Sequence, residues 1–242
     1  MCADDPRSAT VIGVFSPSAR GRLTSYDLGR FPGNTLFDRI GRAVCGAGCL
    51  PRKELYESWE VARRVRRRFG GGRIVDLAGG HGLLGQILLL LDDTSPAALV
   101  VDSRLPASAS RVHAALVDAW PRLAGRVHFE EGAVDSVDVR ADDVVASMHA
   151  CGSLTDVVLA QASAARARVA VLPCCHDFAA GDTGALEGWV DGALAIDVVR
   201  ALRLQSHGYH VWTQTIPLAI TPKNRLLLGA PRAAPRGTSC YA

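Results

Sequence analysis

The sequence lacks an apolar run long enough to cross a bilayer. Spanning takes about 20 consecutive apolar residues. The longest run, near residues 83–91, has only the length of a buried helix. The first residues carry Asp4 and Asp5 and no apolar core, so no secretory signal is read there. Cysteine is sparse as well. Seven in 242 residues is an odd number, without the density of a disulfide scaffold. A reducing compartment and a cytoplasmic location are the expectation, with organelle targeting left open. Aromatic residues make up 6%, which leaves few rings for stacking bases. The net charge of +3 does not by itself imply a nucleic-acid partner. Nearly all the basic residues are arginine, which beside the Ala and Gly excess reads as an effect of gene base composition. No C-x-x-C and no internal repeat is present.

What is present is an ordinary globular composition with a strong α/β rhythm. Residues 1–33 are rich in Ser, Gly, Arg and Pro and read as loosely ordered, with a short strand at Val11–Phe15. Helices are expected over 35–48 and from Pro51 to about Phe69. In the second, Leu55, Trp59, Ala62, Val65 and Phe69 share one face. Strands are expected at 73–77, 98–102, 126–130, 143–148 and 169–173. The helices between them are read at 82–91, 108–120 and 154–165, with one or two more in 186–206. That alternation predicts a parallel sheet covered on both faces. Residues 209–220 and 225–229 then form a hairpin around Thr221-Pro222-Lys223-Asn224, so the sheet ends antiparallel. One domain is expected over 34–230, followed by a tail over 231–242.

Residues 74–82, Ile-Val-Asp-Leu-Ala-Gly-Gly-His-Gly, read as a strand, a tight turn and a helix start. Glycines let a ligand approach the backbone, and the helix N-terminus points its free N–H groups at the same place. The order Asp76-x-Ala78-x-Gly80-x-Gly82 resembles the D/E-x-G-x-G-x-G turn of S-adenosylmethionine-dependent methyltransferases, with Ala78 in place of the first glycine. The terminal hairpin is what separates that fold from a dinucleotide-binding sheet. In open α/β sheets ligands sit at the carboxyl ends of the strands. Asp76, Ala78, Gly79, Gly80 and Gly82 are therefore candidate cofactor contacts. Asp102, with Ser103, is the candidate acceptor for the ribose hydroxyls, or else a turn or cap residue. Ala133 and Val134, with Gly132 and Asp135, either neighbour an adenine edge or form an ordinary loop.

The fourth and fifth strands end in unusual segments, Met148-His149-Ala150-Cys151-Gly152 and Pro173-Cys174-Cys175-His176-Asp177. The combination of His-x-Cys-Gly-x-x-Thr-Asp with Cys-Cys-His resembles a methyltransferase-domain group that includes eukaryotic tRNA acceptor-stem ribose 2′-O-methyltransferases. The resemblance spans roughly residues 51–229. It implies a Rossmann-like class I fold, a seven-stranded sheet ordered 3-2-1-4-5-7-6, and S-adenosylmethionine as cofactor. His149, Cys151, Cys174 and His176 are expected to line the crevice beside the cofactor methyl. His149 doubles as a cofactor contact, and either histidine is a candidate base; packing at the strand ends is the alternative. No metal is expected, since adjacent Cys174 and Cys175 should point to opposite faces. Cys45 and Cys49 read as core residues. Arg63, Arg64, Arg66, Arg67 and Arg68 either hold RNA phosphates or form a solvated helix face. RNA is the first substrate class, a protein side chain the second, and a non-catalytic cofactor-binding subunit the rival.

Overall fold

A computed structural model describes residues 16–232. The helices are α1 (Leu36–Ala47), α2 (Arg52–Arg66), α3 (Leu83–Leu91), α4 (Ala109–Ala119), α5 (Leu154–Ala164) and α6 (Gly192–Ser206). The strands are β1 (Ile74–Leu77), β2 (Ala98–Asp102), β3 (Val127–Glu131), β4 (Val144–Ser147), β5 (Arg168–Val171), β6 (Tyr209–Thr215) and β7 (Arg225–Pro231). They form one sheet in the order β3-β2-β1-β4-β5-β7-β6. β1 to β5 pair in parallel, and β7 pairs antiparallel with both β5 and β6. This is the Rossmann-like, mostly parallel seven-stranded sheet with an antiparallel C-terminal hairpin that the pattern predicts.

Strand alternation divides the core in two. Ile74, Val100, Val144 and Ala146 face α1 to α4. Val75, Leu77, Val101, Val145 and Val169 face the other way, toward α5 and α6. A period of two with apolar residues on both faces is what a sheet covered on both sides requires. α3 is buried from Leu83 to Leu90. Its one polar member, Gln86, donates to the Gly82 carbonyl and meets His113 Nδ1 at 2.9 Å. Cys45 and Cys49 are core residues, as expected.

Two expectations shift. The loosely ordered segment read over 1–33 does not extend to Leu23–Phe31. There Ser25–Arg30 forms a 3-10 helix, both flanking apolar side chains are fully buried, and Leu23 N–H donates to the Leu50 carbonyl. The helix expected within 186–206 is α6, which starts at Gly192, where the Asp191 side chain caps it by accepting from Leu194 N–H. β6 stops at Thr215, because Pro217 cannot donate to a ladder. The strand read at Val11–Phe15, and the tail beyond Arg232, lie outside the described residues.

Candidate active site at the carboxyl ends of the strands

Asp76 sits beneath the glycine turn rather than on it. Its side chain is buried, and Oδ2 accepts from Gly85 N–H, in the first turn of α3, at 2.9 Å. Burial pushes its carboxyl up to about 7. The Gly85 hydrogen bond pulls the other way, and the nearby charges of Glu54 and Asp102 add to the rise. Asp76 is thus a clamp between β1 and α3, and a ligand feels it through the turn.

The turn is built on left-handed backbone. Ala78, Gly80 and Gly82 have φ of 53°, 54° and 67°. At Gly82 a side chain is barred twice, by that φ and by Phe129 and Val100, which a Cβ would meet at 2.8 Å. At Gly80 a Cβ would meet nothing within 4 Å, so open space lies over the turn. Asp102 closes the cradle from the end of β2. Oδ2 accepts from Gly80 N–H at 3.0 Å and Oδ1 from Arg104 N–H at 3.1 Å. A carboxylate offers about four acceptor positions, so each oxygen keeps one for a ligand. Ser103 is exposed beside it. The loop after β3 is tied to the same place, since Gly132 N–H donates to the Asp102 carbonyl at 3.0 Å. Ala133 is exposed there and Val134 buried.

One group at this turn escapes sequence reasoning. His81 joins three elements: its Nδ1 lies 3.0 Å from Glu54 on α2, and its Nε2 3.0 Å from the Ser108 hydroxyl at the start of α4. Facing a carboxylate, Nδ1 is the donor, and Nε2 is held against the Ser108 hydroxyl. The only hint in the sequence was a polar residue among the turn glycines. Glu54 and Ser108 lie 27 residues away on either side.

At the ends of β4 and β5 the candidates separate. His149 is half-buried and Cys151 exposed. Cys151 and Cys174 meet, Sγ to Sγ, at 2.9 Å. Cys175 does not turn to the opposite face: all three sulfurs lie within 4.8 Å of one another. The alternation argument failed because β4 and β5 end at Ser147 and Val171, before these residues. Burial, and contact with Cys151, hold the Cys174 thiol far above its usual range. His176 parts from His149. Its side chain is 1% exposed, and Nε2 donates to Asp197 on α6 at 2.8 Å. The expectation that it faces a substrate gives way to a structural role, because a ring this enclosed reaches no large ligand.

Asp197 is the hub of that role. It also accepts from Arg225 Nε at 2.7 Å and from Arg200. Arg200, 2% exposed, binds Asp156 with both Nε and Nη2, at 2.9 and 2.8 Å, and donates to the Gly152 carbonyl. The Asp of the Cys-Gly-x-x-Thr-Asp segment therefore works through α6. Its Thr155 hydroxyl donates to the Ala150 carbonyl. Beside this hub a groove of about 600 Å³ runs between α6 and the β6–β7 hairpin, with Pro173, Asp197, Thr215 and Arg225 in its walls.

The arginines lie elsewhere. α2 starts at the glycine turn, where Glu54 meets His81, and its last turn leads the chain away from that turn toward β1. Arg64 bonds Glu60 and the Thr215 carbonyl, and Arg63 pairs with Glu60. Arg66 is enclosed by Asp92, Ser95 and the Leu88 carbonyl. Arg68 lies over the Trp212 ring. Arg67 is exposed. Intramolecular partners, not a phosphate track, account for most of this face, and RNA binding through it gains no support.

Residues 53–180, just over half the chain, match a family model described as a methyltransferase domain. The chain belongs to this methyltransferase-domain family. Among solved structures, the methyltransferase is similar to an O-methyltransferase family protein from Burkholderia thailandensis. Identity is 19% and TM-score 0.51, over 86% of this chain and 64% of that one. The chain therefore spans less than two thirds of that protein's length. It also resembles a putative O-methyltransferase from Nostoc punctiforme, at 16% identity and TM-score 0.48 over 85% and 67%. A third is magnesium protoporphyrin IX methyltransferase from Synechocystis with bound SAH, at 14% and 0.45 over 86% and 94%. At such identities the likeness is one of fold. No curated protein matches the chain. Among the described residues no helix is long and apolar enough to cross a membrane.

Proposed function

We propose that the chain transfers a methyl group from S-adenosylmethionine to a nucleophile on RNA. The observation that carries the cofactor reading is the cradle of Gly80 and Asp102: open space over a turn that no side chain fills, and a strand-end carboxylate with an acceptor position left on each oxygen. Two vicinal hydroxyls suit that carboxylate. Ala133 and Val134 supply apolar contact for an adenine edge, and Ser103 a further polar neighbour. Bound there, the cofactor supplies a methyl on a sulfonium, which is its own leaving group.

The protein's part is then to position and desolvate. Asp76 and His81 hold the turn rigid from below and from the side. His149, half-buried at the end of β4, is the base that takes the proton of a hydroxyl nucleophile. Cys151 and Cys174 line the same strand ends. The RNA reading rests on the resemblance carried by residues 149–156 and 173–176, not on the arginines of α2. Methyl-labelled S-adenosylmethionine incubated with separate RNA, protein and metabolite fractions tests it, with label expected in RNA. Label in protein alone would move the substrate to a side chain. Cofactor binding with no transfer would make this a binding subunit. Tight NAD binding without S-adenosylmethionine binding would end the reading altogether.

A further inference from the structure

Cys151, Cys174 and Cys175 have no assigned task in methyl transfer, yet their sulfurs form a cluster within 4.8 Å. Three thiols need not converge to fill space. Here they do so from two loops that are each anchored. The first is held by Arg200, which grips the Gly152 carbonyl and Asp156. The second is held by His176 on Asp197. The loops are also joined directly, Gly152 N–H donating to the Cys175 carbonyl at 3.2 Å. Gly152 has φ of 60°, and its φ is what lets the backbone turn immediately after Cys151.

We propose that Cys151, Cys174 and Cys175 form a three-thiolate zinc site, with a fourth coordination position open toward the crevice at the ends of β4 and β5. Zinc takes thiolates at about 2.3 Å, so a tetrahedral site sets sulfurs about 3.8 Å apart. The cluster is on that scale, all three sulfurs lying within 4.8 Å of one another, and the Cys151–Cys174 pair, at 2.9 Å, opens to admit the ion. Thiolate, not thiol, is the form that binds zinc. Each coordinating thiol gives its proton to solvent and its sulfur lone pair to the metal, with no change of oxidation state. Three protein ligands leave one position for water or a substrate atom, the arrangement of zinc sites that act rather than merely brace. The other cysteines described, Cys45 and Cys49, are enclosed in the core far along the chain.

The test uses the full chain, purified under reducing conditions and stripped with a chelator. Zinc is titrated against a chromophoric competitor, and Co2+ replaces it for absorption spectroscopy. The expected result is one ion per chain with sub-micromolar affinity, release of about three protons per ion, and intense sulfur-to-cobalt charge transfer. Cys175→Ser and Cys151→Ser, both at exposed positions, should each lose stoichiometric zinc while melting cooperatively. A Cys2→Ser/Cys240→Ser variant should keep it. Zinc retained by both single variants, or no stoichiometric binding to the folded chain, would overturn the site. So would a Cys151–Cys174 disulfide that persists in reductant. S-adenosylmethionine binding, measured on the same samples by calorimetry, is a separate readout, so the zinc site and the methyltransferase reading can fail independently.

Discussion

Ala78 bears a backbone cost that its neighbours avoid. It holds φ of 53° with a Cβ attached, while Gly80 and Gly82 hold similar angles without one. For a side-chain-bearing residue the left-handed region costs roughly 1–2 kcal/mol, and glycine's greater freedom when unfolded returns part of that. Ala78→Gly should therefore stabilise the fold by about 0.5–1 kcal/mol in urea denaturation. A destabilised variant would mean that the methyl group packs better than its burial against Val75 and Leu77 suggests. Asp76 gives a pH dependence. Its carboxyl is raised, burial being the main cause, from an unfolded value near 4 to about 7. A raised acid binds its proton more tightly when folded. Its contribution is complete below about pH 4 and is lost as pH rises toward about 7. Asp76→Asn cannot ionise, so it should gain stability relative to the native chain between about pH 4 and about pH 7. Parallel pH profiles would refute this. At Asp102, replacement by Ala should weaken S-adenosylmethionine binding by about 1–3 kcal/mol in calorimetry, and unchanged affinity would remove the ribose role.

At the scale of elements, α6 is the organiser of the strand-end loops. Arg200 and Asp197 project from it to Asp156, Gly152, His176 and Arg225. Breaking a buried pair by removing one partner costs about 3–5 kcal/mol. Asp156 is about a third exposed and Asp197 keeps Arg225, so Arg200→Leu should fall at the lower end, about 3 kcal/mol by chemical denaturation. Arg200→Lys should recover only part, because an ammonium cannot bind a carboxylate with two parallel donors. A fully stable Arg200→Leu would show that packing alone holds the loops. The sequence marked Asp156 and His176 as unusual, but their partners lie on a helix whose start was hidden in a polar loop. Apolar periodicity finds helix faces; it does not say which charged side chain reaches across 44 residues to another.

At the scale of the whole molecule, the strands were legible as short runs, most of them carrying β-branched residues, and the terminal hairpin as a break in the α/β alternation; the order of the strands in the sheet came from the family resemblance. The turn alone would not have decided the fold. Gly80-x-Gly82-x-x-Gly85 also satisfies the dinucleotide spacing, and it is the insertion of β7 between β5 and β6 that separates the two. Between the two readings of the arginines, a phosphate track or a solvated face, the sequence could not choose for a reason of the same scale. A charge run shows which residues are basic, but not which end of the sheet they occupy. α2 rises 1.5 Å per residue, so its last turn stands roughly 20 Å from the Glu54 end that meets His81. That is more than twice the screening length of about 8 Å at physiological salt. The field of Arg67 and Arg68 at the glycine turn is therefore small. Arg67→Glu with Arg68→Glu should leave turnover on RNA within about threefold of native at that salt, though loss of the Trp212 contact should cost up to about 1 kcal/mol of stability. His149→Ala should instead lower turnover by roughly 10²–10⁴-fold with cofactor affinity little changed. Equal losses in both variants would return the arginines to an RNA path, and loss only in the arginine pair would remove His149 from the chemistry.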